Sequence, residues 1–242
     1  MSSIQIIPAI YTYDSKSSQT SSINILEYDQ AFNLALSYQN EGADCIYILD
    51  VSVNHERKRG LLKFLKHLSQ HINLPIIVGG GVHNVKDVED ILAAGASKVT
   101  VNSAAVKNPE LINAVIKSCG TESLIIGIDT KRSFGEWKVY LNGAKSRTEI
   151  DFFKWVKMCK LKGAGELVIT LVPRKHDNFD EYPVEILQEA TNQLEVPVYV
   201  TIGNIRLDAL EGITKLDGIK GIISGTYFLN QPGKLREVKA LI

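Results

Sequence analysis

The sequence predicts a (β/α)8 barrel built from two similar halves, and three observations carry that prediction. First, eight short β-rich apolar runs occur, at residues 4–10, 45–49, 75–78, 98–101, 123–129, 166–171, 197–201 and 221–224. Strands that are apolar on both faces belong to a parallel sheet covered by helices. Second, the segments between them keep helical spacing: Leu61, Leu62, Leu65 and Leu68 make one apolar stripe, and Phe152, Phe153, Val156 and Cys159 another. Third, the chain repeats at half its length. Gly42-Ala43-Asp44 returns as Gly163-Ala164-Gly165 after 121 residues, Pro75 to Val78 (PIIV) returns as Pro197 to Val200 (PVYV) after 122, and Asn102-Ser103 aligns with Ser224-Gly225 after 122. An open doubly wound sheet also alternates strands and helices, but it has no need of such a repeat. The expectation is one barrel domain over residues 1–242, with halves at about 1–120 and 121–242.

Barrel enzymes gather their chemistry at the C-terminal ends of the strands, so the residues at each strand end are the candidates. The first ends in Tyr11, a phenol, which donates a proton or lines a wall but is a poor base at neutral pH. Asp50 closes the second, either in the site or capping the loop that follows. The third runs into Gly79-Gly80-Gly81 ahead of a helix starting near Asn84, where backbone N–H groups can approach a phosphate; a plain tight turn is the alternative. Asn102 and Ser103 end the fourth and add an amide and a hydroxyl beside that cradle. The fifth ends in Asp129 after four apolar residues, a setting for a general acid or base unless Lys131 or Arg132 pairs with it. Residues 131–143 then read as a β-hairpin with a Gly-Glu turn lying over the mouth as a lid. After the sixth strand, Arg174, Lys175 and His176 offer an anion contact or a plain solvated loop. The seventh and eighth end in Thr201-Ile202-Gly203-Asn204 and Ser224-Gly225-Thr226, a second phosphate cradle in which Ile202 adds bulk where a glycine is wanted.

Composition narrows the function classes. Lys plus Arg and Asp plus Glu each total 27, so no basic face points to nucleic acid. Cys45, Cys119 and Cys159 lie too far apart for a zinc or redox motif and read as reduced thiols, and neither a metal nor another cofactor is expected. No leader and no apolar run approaching 18 residues is seen, so a cytoplasmic protein with no membrane contact is expected.

Leu49-Asp50, Pro75 to Gly81 (PIIVGGG), Lys98 to Pro109 (KVTVNSAAVKNP), Ile128 to Arg132 (IDTKR) and Gly163 to Thr170 (GAGELVIT) closely resemble the cyclase subunit of imidazole glycerol phosphate synthase, over residues 6–228. The resemblance implies a cyclase that takes ammonia from a glutaminase partner, through the barrel, for use on a bis-phosphorylated ribulosyl aminoimidazole substrate in histidine biosynthesis. It implies catalytic aspartates at the first and fifth strands. Asp129 matches the second of these, Tyr11 stands in place of the first, and Thr170 is retained. It implies phosphate contacts at Gly80, Gly81, Asn102, Ser103, Gly203, Ser224 and Gly225, and further substrate contacts at Asp50, Lys131 and Arg174. At the opposite end, Lys98 and Glu166 match a charged ring at the ammonia entrance, while Gln5 and Cys45 replace its other members.

The departures cluster at the mouth. The loop after the first strand reads DSKSSQTSS (residues 14–22), and the sixth-strand motif reads Pro173-Arg174-Lys175-His176-Asp177. Three functions therefore stay open: the histidine-pathway cyclase, a diverged glutaminase-coupled barrel acting on another phosphorylated or nucleotide-linked substrate such as a surface sugar, and a non-catalytic anion-binding barrel.

Overall fold

In the computed structural model, residues 4–13, 25–51, 58–172, 183–194, 196–203, 207–229, 231 and 233–241 are described. Strands and helices alternate along the chain: β1 (Gln5–Thr12), α1 (Tyr28–Asn40), β2 (Ile46–Asp50), α2 (Lys58–Ser69), β3 (Ile76–Gly79), α3 (Val85–Ala93), β4 (Lys98–Val101), α4 (Ser103–Lys107), α5 (Glu110–Cys119) and β5 (Leu124–Ser133). There follow β6 (Glu136–Leu141), β7 (Ser146–Asp151), α6 (Phe152–Leu161), β8 (Leu167–Leu171), α7 (Val184–Leu194), β9 (Val198–Thr201), α8 (Leu207–Thr214), β10 (Ile219–Ser224), α9 (Thr226–Leu229) and α10 (Lys234–Ala240).

Eight of these strands close on one another in parallel, β1-β2-β3-β4-β5-β8-β9-β10 and back to β1, which confirms the (β/α)8 barrel. The other two strands, β6 and β7, extend β5 antiparallel and lie outside the ring.

Closure sorts the side chains by the two-residue period of a strand. Ile7, Ala9, Cys45, Tyr47, Ile77, Ile125, Val168, Tyr199 and Ile223 fill the interior. The alternate residues, such as Ile6, Ile48, Val78, Ile126, Ile169 and Ile222, face out and pack with Leu65, Leu68, Val88, Ile112 and Leu187 of the helices. These apolar layers are the main source of stability, because burying one such side chain contributes about 1.5–3 kcal/mol.

The half-length repeat has a local cause. Gly42 and Gly163 follow α1 and α6 with φ of +87° and +86°, a left-handed position that glycine takes without steric penalty. Ala43 and Ala164 then donate their backbone N–H to Tyr38 and Cys159, each at 3.0 Å, so both helices end by the same device. Other helix starts are capped by side chains: Asn84 accepts from Asp87 N at 3.0 Å at α3, and Asp151 accepts from Lys154 N at 3.0 Å at α6.

The predicted hairpin is present, with one correction. Its two-residue turn is Phe134-Gly135, one residue earlier than expected, with φ of +50° and +86°; two positive φ values suit the twist of a tight hairpin. Phe134 at that turn is 93% exposed. The next turn reaches the strand ends: Asn142, Gly143 and Ala144 carry φ of +56°, +64° and +62°, and the Asn142 N–H donates to Ser103.

Candidate functional site

The mouth is organised around Asp129. It ends the interior face of β5, in register with Thr170 on β8. Burial pushes its carboxyl up from 3.8 to about 6, against the lowering effect of the Asn102 amide, the Ala144 backbone N–H and the Thr170 hydroxyl. The cation expected as a possible partner, Lys131, holds its ammonium 5.9 Å from the Tyr140 ring centre. A carboxyl poised near neutrality and faced by neutral donors is suited to proton transfer.

Tyr11 lies across from it on β1. Burial, and secondly the charge of Asp129, push the phenol further up, so it remains a neutral hydroxyl. Its ring packs against β10: a Cβ at residue 225 would come within 2.4 Å of Tyr11 Cε2 and 3.1 Å of the Ala9 carbonyl, so Gly225 is the residue that lets the ring in. Tyr47, below it in the interior, needs a similar allowance, since a Cβ at Gly79 would approach its hydroxyl to 2.6 Å.

The glycine turn after β3 forms the wall of the mouth on the first half. Gly80 and Gly81 take φ of +97° and +62°. A Cβ at Gly80 would meet the Asp50 carbonyl at 1.9 Å, whereas Gly81 is exposed with nothing near. Asp50 is only 8% exposed and so forms part of the wall beneath the cradle. Ser103 accepts a hydrogen bond from Asn142 N at 2.9 Å, which leaves its own hydroxyl proton free to donate. The lid turn thus touches both Ser103 and Asp129. Sequence reasoning missed this contact because backbone N–H groups carry no residue signature.

The second half is arranged differently. Ile202 is 3% exposed and donates its N–H to Ile223 O at 2.8 Å. Ser224 is fully buried, and its hydroxyl donates to the Gly203 carbonyl at 3.4 Å. Gly203 is exposed and Gly225 is buried. Asn204, together with Arg174, Lys175, His176 and residues 14–24, lies outside the described residues.

At the other end of the axis, Lys98 and Glu166 meet at 2.7 Å. A third residue completes the group: Lys220 Nζ lies 2.5 Å from the second Glu166 oxygen and 5.6 Å from the Tyr199 ring centre. Burial works against the Lys220 charge, but Glu166 and Tyr199 outweigh it and the ammonium is held more firmly than usual. Strand alternation would send Lys220 outward. The register shift between Ile219 and Gly221 inserts it as an extra residue and turns it inward, a bulge that sequence periodicity does not reveal. Cys45 is buried here, its thiol pushed up to about 12 by burial, so it brings no charge. Gln5 pairs with Gly221 in the strand register.

Among the described residues no His, Cys, Asp and Glu cluster suits a metal ion, and no helix is long and apolar enough to cross a membrane.

Comparison with known proteins fits this geometry. Residues 5–233 match the family described as histidine biosynthesis protein. Curated proteins named imidazole glycerol phosphate synthase subunit HisF are similar over most of their length. The one from Flavobacterium psychrophilum is 33% identical over 240 residues, 97% of this chain and 94% of the relative. The one from Dictyoglomus turgidum is 33% identical, over 97% and 93% of the two chains. The one from Azobacteroides pseudotrichonymphae is 35% identical, over 82% and 79%. A closed eight-stranded barrel and similarity along nearly the whole chain agree: the protein belongs to the histidine biosynthesis family, as a HisF-like cyclase subunit at the level of that family.

Proposed function

We propose that this chain is the synthase half of an ammonia-using pair. A glutaminase partner docks at the Lys98–Glu166–Lys220 end and releases ammonia into the barrel. The ammonia reacts at the mouth with a phosphorylated substrate held by Gly80, Gly81, Asn102 and Ser103, while Asp129 moves the proton. The observation that carries this reading is the Asp129 carboxyl, raised to about 6 beside a glycine cradle.

The polar face of β4 supports the ammonia route. Lys98, Thr100 and Asn102 succeed one another up the interior, and Asn102 Oδ1 is a buried oxygen without a hydrogen-bond partner. An acceptor left unmet in an apolar interior suits a small travelling donor. Asp129 then takes the proton shed as the ammonia nitrogen bonds to substrate carbon, and returns one to the leaving oxygen.

Two substrates fit this chemistry. Family membership favours the bis-phosphorylated ribulosyl aminoimidazole of histidine biosynthesis. Tyr11, packed on Gly225 where a second aspartate is wanted, favours another phosphorylated or nucleotide-linked compound. Steady-state assay of the purified chain with ammonium salt and the bis-phosphorylated substrate separates them. Turnover with an apparent pKa near 6 establishes the first. If the wild type is inactive, yet Tyr11→Asp gains about 10²-fold or more over background, the remaining machinery is intact and the substrate has changed. Silence in both proteins removes the histidine-pathway reaction.

A further inference from the structure

The two halves of the mouth offer a phosphate very different receptions. Counting 122 residues on from the first cradle, Gly80 corresponds to Ile202, Gly81 to Gly203, Asn102 to Ser224 and Ser103 to Gly225. In the first half, Gly80, Asn102 and Ser103 are half-buried and Gly81 is exposed, so all four reach the mouth. In the second half, three of the four counterparts are already taken up by the protein. Ile202 buries its side chain and binds Ile223 O through its N–H, Ser224 is fully buried with its hydroxyl on Gly203 O, and Gly225 lies buried against the Tyr11 ring.

Tyr11 is the element that covers Gly225. Asp129 on β5 sits beside Asn102, just past β4, and Tyr11 on β1 sits beside Gly225, just past β10. A carboxylate there leaves the neighbouring backbone open. A phenol covers it, and its approach is so close that only glycine fits beneath. Phosphate oxygens that met this wall would face an aromatic edge, not N–H groups, and the cost of stripping their water would go unrecovered.

We infer that, among the described residues, the barrel offers its substrate a single phosphoryl anchor, for a terminal phosphate or a diphosphate link, at Gly80, Gly81, Asn102 and Ser103, and that Tyr11 stands where a second anchor would bind. This rests on the reading of the first-half cradle as an anion site.

The test compares probes carrying one and two phosphates. Titration calorimetry of the full chain with ribose 5-phosphate and with ribulose 1,5-bisphosphate is expected to give dissociation constants within about twofold, the statistical factor for a ligand with two equivalent ends. Simultaneous engagement of two sites gives a gain of about 10²-fold or more, so a bisphosphate preference of tenfold or greater overturns the inference. Ser103→Ala is expected to weaken both probes by the same factor. Tyr11→Ala, checked for an intact fold by its thermal transition, is expected to create a bisphosphate preference of at least tenfold. A folded Tyr11→Ala protein with no such preference also overturns the inference, because Tyr11 would then not be what closes the second half. Failure of the wild type to bind either probe would sink the first-half cradle itself and the proposed function with it, a result distinct from a bisphosphate preference.

Discussion

Two carboxylates mark the ends of the barrel axis, and their surroundings are opposites. Glu166 at the base is gripped by two ammonium groups, at 2.7 and 2.5 Å. Asp129 at the mouth is faced by an amide, a backbone N–H and a hydroxyl, none of which brings a full positive charge. Both are placed by the same rule, the inward half of a parallel strand. A carboxylate with cations on either side is a fixed part of the wall, whereas one among neutral donors in a dry setting can exchange a proton near neutral pH. The fold therefore supplies positions, and the neighbours decide which of them can do chemistry.

The largest expected effect tests the mouth. Asp129→Asn is expected to lower ammonia-dependent kcat by about 10² to 10⁴-fold while leaving the protein folded. The same variant checks the pKa by stability. The folded-state value of about 6 lies above the ordinary 3.8, so the protonated form is the one the fold favours. The associated stability is full below about pH 4 and is lost as pH rises through 6, at most about 3 kcal/mol. Urea denaturation from pH 4 to 8 is expected to show this decline in the wild type and its absence in Asp129→Asn. Parallel curves for the two proteins would mean that Asp129 titrates normally.

The base is expected to respond differently. Glu166→Gln leaves Lys98 and Lys220 facing one another without an anion and is expected to cost about 1–3 kcal/mol, since the group is only partly shielded from water. Lys220→Gln keeps the Lys98 contact and is expected to cost less than about 1 kcal/mol. Equal losses in the two variants would show that Lys220, rather than Glu166, holds the group together. Salt titration of the same unfolding curves checks that the effect is electrostatic.

The smallest effect concerns the turn that reaches from β6 to the mouth. Ala144 holds φ of +62°, a strained position for any residue with a Cβ. Ala144→Gly is expected to raise stability by about 0.5 kcal/mol, read as a small increase in Tm. It keeps the N–H that faces Asp129, so the pH profile of activity is expected to stay where it was. A shifted profile would show that the strain, and not the N–H alone, sets the behaviour of the carboxyl.

Much of this fold is legible in the sequence. Eight apolar runs marked the barrel strands because parallel strands are buried on both faces, and the repeated Gly-Ala pairs proved to be matching helix ends. Asp129 and Gly80-Gly81 could be placed because strand ends are where apolar patterns stop. Three features were hidden. Lys220 faces inward only through a bulge, which breaks the two-residue period on which such readings depend. The contacts of Asn142 and Ala144 with Ser103 and Asp129 come from backbone groups in left-handed conformations that the residue types do not announce. The covering of Gly225 by Tyr11 joins positions more than 200 residues apart, and only the closed barrel brings them together.

That last contact also constrains the history of the chain. With Tyr11 in place, position 225 can hold only glycine, since any Cβ would come within 2.4 Å of the ring. With a small residue at position 11 the ring contact is gone, and the Ala9 carbonyl, 3.1 Å from a Cβ, is what then limits position 225. Substitutions at the two sites are consequently order-dependent: a lineage that acquired the phenol first became locked to glycine on β10, and one seeking a larger residue there must first give up the phenol. Libraries that randomise position 225 alone will recover few folded variants, whereas paired libraries will open routes that single steps at 225 cannot reach.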